Sequence, residues 1–152
     1  MLIVVEGCDG VGKTTLVNLL STALDATVIH CSTETPNNWK YFRQWIEESW
    51  YENIIADRFF WGQFVYQNPE GEHINKDQLH QLEGQLTDNG GKIIWVTAPN
   101  EVIQKRLENR GETLINGLTI EQVQQRFHNL VRASYAPVYK YDTESLTITR
   151  MN

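Results

Sequence analysis

A short run near the start of the chain has the residue types needed to hold phosphate. Residues 7–14 read G-C-D-G-V-G-K-T, which fits the pattern G-x-x-x-x-G-K-[ST] of a phosphate-binding loop. Glycines let successive backbone N–H groups turn towards phosphate oxygens, and a following helix N-terminus adds partial positive charge. We expect Lys13 to reach the β- and γ-phosphates of ATP and the Thr14 hydroxyl to bind Mg²⁺. The predicted ATP-binding residues are Gly7, Asp9, Gly10, Val11, Gly12, Lys13, Thr14 and Thr15.

A predicted strand precedes this loop and a predicted helix follows it, which is the order found in phosphate-binding loops. Residues 2–5 form an apolar, β-rich segment before the loop, and residues 15–24 carry apolar side chains at helical spacing after it. A strand, a loop and a helix in this order place the loop at the carboxyl end of the strand. We expect the loop and Lys13 to face solvent.

The rest of the chain alternates strand and helix patterns. Capping-box patterns at Asn75-x-x-Gln78 and Thr119-x-x-Gln122 begin two of the helices. The alternation predicts an α/β protein with the three-layer P-loop NTPase fold, in which a parallel sheet of about five strands has helices on both faces. No repeat or linker divides the chain, so we expect a single domain over 1–152. The predicted strands are 2–5, 26–31, 53–57, 92–97 and 146–149.

The composition narrows the range of partners. With 152 residues, 41% of them hydrophobic, the chain is long enough for one core. Its net charge of −6 argues against broad electrostatic binding to nucleic acid or anionic membrane. No segment has the run of about 18 apolar residues that a membrane span needs. Cys8 and Cys31 do not form a disulfide framework, which fits a cytoplasmic location.

A second set of candidate catalytic residues lies at the carboxyl end of the predicted third strand. Asp57 is the last residue of that buried strand and Arg58 follows it, and ligands bind at the carboxyl ends of strands in open α/β sheets. Asp57 is a candidate to hold Mg²⁺ through water or to position an attacking oxygen, and Arg58 to bind an acceptor phosphate bidentately. The N-K-x-D element with which many GTPases read guanine is absent from the sequence.

Three elements in this order resemble the thymidylate kinases and their deoxynucleoside-kinase relatives. Residues 6–15 are similar to the family's E-G-x-D-G-x-G-K-[ST]-T loop. Residues 57–59 with Tyr66-Gln67 resemble its D-R-Y…Y-Q element, and residues 94–111 resemble its fourth strand, P-x-E helix and R-x-x-x-R-G lid. The resemblance implies a nucleoside monophosphate kinase that uses ATP and Mg²⁺.

The resemblance also implies roles in acceptor binding. Asp9 would accept from the sugar 3′-OH, Arg58 would bind the acceptor phosphate, and Gln63 and Tyr66 would face base and sugar. The chain is shorter than the family between its second and third strands, where the family supplies an aromatic residue and an arginine to the base. Arg43, one helical turn from Trp39, is the nearest substitute for that arginine.

The catalytic cation must come from outside the loop, because no arginine lies between the loop glycines. Arg106 and Arg110 lie four residues apart and lead into a predicted lid over about 109–118. We therefore expect them to supply charge in the transition state, and the predicted catalytic residues are Lys13, Asp57, Arg58, Arg106 and Arg110.

Three functions stay open. The first is phosphoryl transfer to a deoxynucleoside monophosphate, dTMP or a modified pyrimidine deoxynucleotide. The second is a kinase of a deoxynucleoside or of a hydroxymethylated base in DNA, in which Asp57 acts on a free hydroxyl. The third is a nucleotide-binding module without turnover. The expected partner is a small nucleotide rather than nucleic acid or membrane, and a homodimer stays open.

Overall fold

The computed structural model describes residues 1–32, 35, 36, 38–66, 74–114 and 117–152. Gln67 and residues 115 and 116 of the predicted lid lie outside these described residues.

A six-stranded sheet forms the centre of the fold. Its order is β2-β3-β1-β4-β5-β6, with β1 to β5 parallel and β6 antiparallel to β5. All of β1 is buried, as expected for a central strand covered on both faces. The P-loop NTPase fold class is therefore confirmed. The strands are β1 (Leu2–Glu6), β2 (Thr27–His30), β3 (Ile54–Asp57), β4 (Lys92–Thr97), β5 (Val138–Asp142) and β6 (Thr147–Arg150).

Six helices are described around this sheet. Helix α1 packs on β1, β2 and β3, α2 packs on α4, and α6 contacts both α3 and α5. The helices are α1 (Lys13–Leu24), α2 (Trp39–Glu48), α3 (Phe60–Val65), α4 (Lys76–Asp88), α5 (Asn100–Arg110) and α6 (Ile120–Ala133).

The last parallel strand differs from the sequence prediction. The prediction placed the fifth strand at 146–149, but Val138–Asp142 is the fifth parallel strand. Most of the predicted segment belongs to Thr147–Arg150, which is exposed along its whole length and pairs antiparallel at the sheet edge. The alternation of apolar and polar residues in 138–142 is weak. Pro137, directly before this strand, is typical of a position after the end of a helix, so the sequence did not indicate that a strand begins there.

An aromatic cluster packs against the residues that follow β3. Phe42 of α2 lies edge-on to Phe59, with ring centroids 4.9 Å apart, and to Phe60, at 6.0 Å. All three rings are fully buried. The cluster therefore anchors the residues directly after Asp57 and Arg58 in the core.

Both predicted capping boxes are present. Asn75 caps α4 and Thr119 caps α6, and in each case the glutamine at the third helical position bonds back to the cap residue's N–H. These reciprocal bonds satisfy backbone donors that have no partner within the helix.

Replacing Thr119 with alanine should lower the free energy of unfolding by about 1 kcal/mol, because α6 loses its cap acceptor. Urea unfolding of the variant beside Gln125→Ala, an exposed change on the same helix, measures the effect. Equal stability of the two variants would contradict the capping role.

Candidate active site

The phosphate-binding loop joins β1 to α1 in a shape that needs glycine. Gly12, the residue before α1, has φ +103°, a conformation that side-chain-bearing residues rarely adopt. A Cβ on Gly7 would lie 2.6 Å from the carbonyl oxygen of Val96 in β4. The loop therefore approaches the neighbouring strand closely, with the Val11 side chain buried beneath it.

Lys13 is buried rather than solvent-facing, which corrects the expectation from the sequence. Only 7% of the residue is exposed, and its ammonium donates to the carbonyl oxygens of Gly7, at 2.9 Å, and Cys8, at 3.0 Å. Burial lowers the pKa of Lys13, and the nearby Arg58 guanidinium lowers it further. The loop itself thus holds the ammonium at the place where the motif requires a phosphate-binding charge.

A pocket of about 270 Å³ lies above the loop at the carboxyl ends of the parallel strands. It brings together Thr14 and Thr15 of α1 with residues from the ends of β2 and β3 and from the end of α5. Its lining is Gly10, Gly12, Lys13, Thr14, Thr15, His30, Cys31, Asp57, Arg58 and Arg110. Four of the predicted catalytic residues, Lys13, Asp57, Arg58 and Arg110, therefore meet in one cavity.

The turn after β3 forms one side of the pocket. Arg58 takes a left-handed backbone conformation, with φ +63°, and its guanidinium Nη2 donates to Oδ1 of Asp9 in the phosphate-binding loop. Its backbone N–H donates to the Val5 carbonyl at 3.0 Å. This turn therefore directs the Arg58 side chain back over the loop.

His30 is a pocket residue that the sequence analysis did not select. It lies opposite Asp57 in the β2–β3 register, and its Nδ1 is 3.0 Å from Asp57 Oδ2. A polar residue at the carboxyl end of a strand was the available signal, the same one that identified Asp57.

Glu6, the last residue of β1, is a second unselected residue. It is completely buried, and its Oε1 accepts from the backbone N–H groups of Phe59, at 2.8 Å, and Gly62, at 2.9 Å. Oε2 is buried without a hydrogen-bond partner. Burial raises the Glu6 pKa to about 7, although these two bonds and the charges of Lys13 and Arg58 lower it. A charged residue ending an otherwise apolar strand was the sequence signal.

Tyr66 and Gln63, which follow the turn after β3, contact two different segments. The Tyr66 hydroxyl accepts from the backbone N–H of Asp9 at 3.2 Å, so it contacts the loop that Arg58 also contacts. Gln63 donates through Nε2 to the Ser32 carbonyl, at 2.8 Å, just after β2. Their contact with base and sugar stays a prediction.

The two predicted lid arginines occupy different places. Arg106 donates to the carbonyls of Val11, at 2.8 Å, and Gly10, at 3.3 Å, and pairs with Glu144 at 3.1 Å. Arg110 instead lines the pocket, at the end of α5. Arg106 therefore contacts the loop's backbone, whereas Arg110 lines the pocket.

Arg43 lies away from this pocket. It is an exposed residue of α2 that pairs with Glu47 at 2.8 Å, with its guanidinium 5.4 Å from the Trp39 ring centre. Neither Arg43 nor Trp39 lines the phosphate pocket. Base contact by Arg43 stays a prediction.

The donor set of the pocket fits a magnesium ion shared with a nucleotide. Thr14 and Asp57 offer a hydroxyl and a carboxylate, which are the oxygen ligands that Mg²⁺ prefers. Within the described part of the chain, no group of three or more His, Cys, Asp or Glu residues is arranged to hold a metal. Phosphates and water would therefore supply most of its ligands, as is usual for Mg²⁺ in kinases.

Comparison with known proteins establishes the family. A family model described as "AAA domain" matches residues 1–139. The chain belongs to the AAA domain family. For this AAA domain, the match covers the phosphate-binding loop and every pocket residue. The finer resemblance to thymidylate kinases stays a prediction.

A relative from a prophage matches most of the chain in sequence and in structure. The chain is 27% identical over 147 residues to YorR of Bacillus subtilis (strain 168), an SPbeta prophage-derived uncharacterized protein, with 93% of this chain and 88% of YorR covered. The crystal structure of YorR in complex with phosphorylated GDP superposes with a TM-score of 0.81 at 26% identity, covering 95% of this chain and 86% of that one.

A more distant kinase shares the fold. Deoxyadenosine kinase from M. mycoides with bound dCTP matches with a TM-score of 0.59 at 17% identity, covering 95% of this chain and 91% of that one.

Among the described residues, no helix is both long and apolar enough to cross a membrane.

Glu6→Gln should make stability less dependent on pH. The folded-state pKa of Glu6, about 7, lies above its ordinary value of 4.5, so the folded protein binds the proton more tightly than the unfolded chain. The resulting stabilisation is present in full below pH 4.5 and is lost as pH rises through 7. From pH 5 to pH 8, wild type should lose on the order of 2–3 kcal/mol relative to Glu6→Gln.

Urea unfolding of both proteins at the two pH values measures this difference. Because other titrating groups are common to both proteins, the difference isolates Glu6. A stability difference that does not change with pH would contradict a raised pKa.

Arg110→Ala and Arg106→Ala should have different effects. Arg110→Ala should lower the rate of phosphoryl transfer on the order of 10²-fold, because the pocket loses one of the cations that line it. Arg106→Ala should mainly weaken nucleotide binding, because Arg106 bonds to loop carbonyls. Single-turnover rates and calorimetric nucleotide affinities distinguish the two, and identical profiles would contradict this division.

Proposed function

We propose that the protein transfers the γ-phosphoryl group of ATP to a deoxynucleoside monophosphate, with dTMP or a modified pyrimidine deoxynucleotide as acceptor. The observation that carries this proposal is the pocket in which Lys13, Arg58 and Arg110 converge with Asp57. Three cations around one small cavity suit two phosphate groups, one of the donor and one of the acceptor. Such a site catalyses by positioning and by neutralising charge on the transferred group.

On the donor side, the loop's backbone N–H groups and Lys13 would bind the triphosphate. Lys13 now donates to the carbonyls of Gly7 and Cys8, and we propose that it turns its donors to the β- and γ-phosphates. Thr14 and Asp57 would hold Mg²⁺, which when bound neutralises phosphate charge. Arg110 would neutralise charge on the group in transfer.

On the acceptor side, Arg58 would bind the monophosphate while Asp9 receives the sugar hydroxyl. The two side chains are already paired, so each is oriented before an acceptor arrives. Tyr66 fixes the backbone of Asp9, and we propose that Gln63 faces the base from the β2 side.

The YorR structure supports the proposal that this chain binds a nucleotide. Its structure contains phosphorylated GDP, and it shares 26% identity and most of its length with this chain. A guanine nucleotide is therefore a second donor to test beside ATP.

A second candidate has a free hydroxyl as acceptor, in a deoxynucleoside or a hydroxymethylated base in DNA. The favouring observation is that Asp9 already neutralises Arg58, so an acceptor phosphate would have to compete with a carboxylate. The exposed side of the Asp57–His30 pair also faces the pocket, where a hydroxyl would lie.

Transfer from γ-labelled ATP and GTP to a panel of acceptors tests the proposal. The panel contains deoxynucleosides, their monophosphates and DNA with hydroxymethylated bases. The proposal expects label on a deoxynucleoside monophosphate. Label on nucleosides or DNA alone would favour the second candidate, and no label on any acceptor despite tight nucleotide binding would indicate a binding module.

Arg58→Ala should raise KM for the monophosphate on the order of 10²-fold while KM for ATP stays within about threefold, because a charge-assisted bond to the acceptor is lost. Steady-state kinetics with each substrate varied in turn measure the effect, and Arg132→Ala, an exposed change on α6, is the control. Equal increases in both KM values would contradict acceptor binding by Arg58.

A further inference from the structure

Glu6 joins the two halves of the pocket through the backbone. It directly precedes Gly7, the first loop residue, and its Oε1 receives N–H groups from Phe59 and Gly62. Phe59 directly follows Arg58. One buried carboxylate therefore links the start of the donor loop to the turn that carries the acceptor arginine.

The turn at Arg58 and helix α3, both of which Glu6 contacts, have little stability of their own. Arg58 has φ +63°, a conformation that is unfavourable for any residue with a Cβ. Helix α3 has six residues, too few to be stable in isolation, and its cap residue, Phe59, has no side-chain acceptor. Glu6 supplies the missing acceptor from another strand, so the position of the Arg58 turn depends on it.

The two backbone hydrogen bonds that Glu6 accepts require an oxygen atom but not a negative charge. A neutral amide oxygen would accept the same two N–H groups. The carboxylate instead buries an oxygen, Oε2, that has no partner, which is unfavourable for stability. The charged groups that face it are the ammonium of Lys13 on the loop side and the guanidinium of Arg58 on the turn side. These are the donor-side and acceptor-side cations of the pocket.

We propose that Glu6 is a positioning residue that sets the separation of the Lys13 and Arg58 cations, holding the Asp57–Arg58 turn against the phosphate-binding loop by its two backbone bonds and its charge. This role rests on the proposed function, because the separation matters only if both cations hold phosphate in one reaction.

Two variants of the site and one control test this role. Glu6→Gln keeps the acceptor oxygen and removes the charge. Gly62→Ala keeps the charge but displaces the carboxylate, because a Cβ on Gly62 would lie 2.9 Å from Glu6 Oε2. The control is Glu83→Gln, since Glu83 is a buried carboxylate that binds the same helix α3, through Trp61 Nε1 at 2.9 Å, and lines no part of the phosphate pocket.

The kinetic measurement is made at pH 8, where the Glu6 carboxyl, with its pKa of about 7, is mostly ionised, and compares KM for the acceptor, KM for ATP and the single-turnover rate in the three variants. Glu6→Gln and Gly62→Ala should each lower the single-turnover rate or raise the acceptor KM by about tenfold or more, with KM for ATP within about threefold of wild type. Glu83→Gln should leave these constants unchanged even where it lowers the melting temperature. Wild-type kinetics in folded Glu6→Gln, or a loss shared equally with Glu83→Gln, would overturn the proposal.

Hydrogen exchange separates this proposal from the kinase proposal. In the absence of any substrate, Gly62→Ala, which displaces the Glu6 carboxylate, should increase amide exchange in the segment 58–65 and leave the β4 segment Lys92–Thr97 unchanged. If wild type transfers no phosphate but this local increase occurs, the kinase function fails while Glu6 still holds the turn. Unchanged exchange in 58–65 of Gly62→Ala would overturn the Glu6 proposal whatever the activity, and if Glu6→Gln does not fold, Gly62→Ala supplies the kinetic readout as well.

Discussion

Strands β1 and β3 pair in parallel with Val5 opposite Asp57, and the pocket depends on this register. Because both strands end at the same edge, the phosphate-binding loop after Glu6 and the turn after Asp57 emerge side by side. The pairing of β2 with β3 then adds His30 beside Asp57. A slip of one residue would turn Asp57 to the other face of the sheet and separate the donor and acceptor groups.

The polar and charged groups at this edge already have partners. Asp9 faces Arg58, Asp57 faces His30, and the ammonium of Lys13 is held by carbonyl oxygens. Lys13 is buried, and a buried charge is unfavourable unless it is bonded, so an incoming phosphate must replace carbonyl oxygens rather than water around its ammonium. The site is therefore organised before any nucleotide arrives, which reduces the reorganisation required for phosphoryl transfer.

The sequence predicted the parts of the fold whose signals are local. The phosphate-binding loop, the capping residues Asn75 and Thr119 and the acid at the end of β3 are identified by short patterns with a direct physical reason. The strand Val138–Asp142 has no such pattern. His30 and Glu6 end strands, which is a local signal, but their partners and those of Arg106 are distant in the chain, so spacing along the sequence does not reveal what these residues contact.

The central claim is that the pocket above the loop transfers a phosphoryl group through the buried charge of Lys13. The most direct measurement is the single-turnover rate of transfer from labelled ATP by Lys13→Ala, with circular dichroism to verify that the variant is folded. The account predicts a rate lower than wild type on the order of 10²–10³-fold. A folded variant that keeps more than about a tenth of the wild-type rate would contradict it.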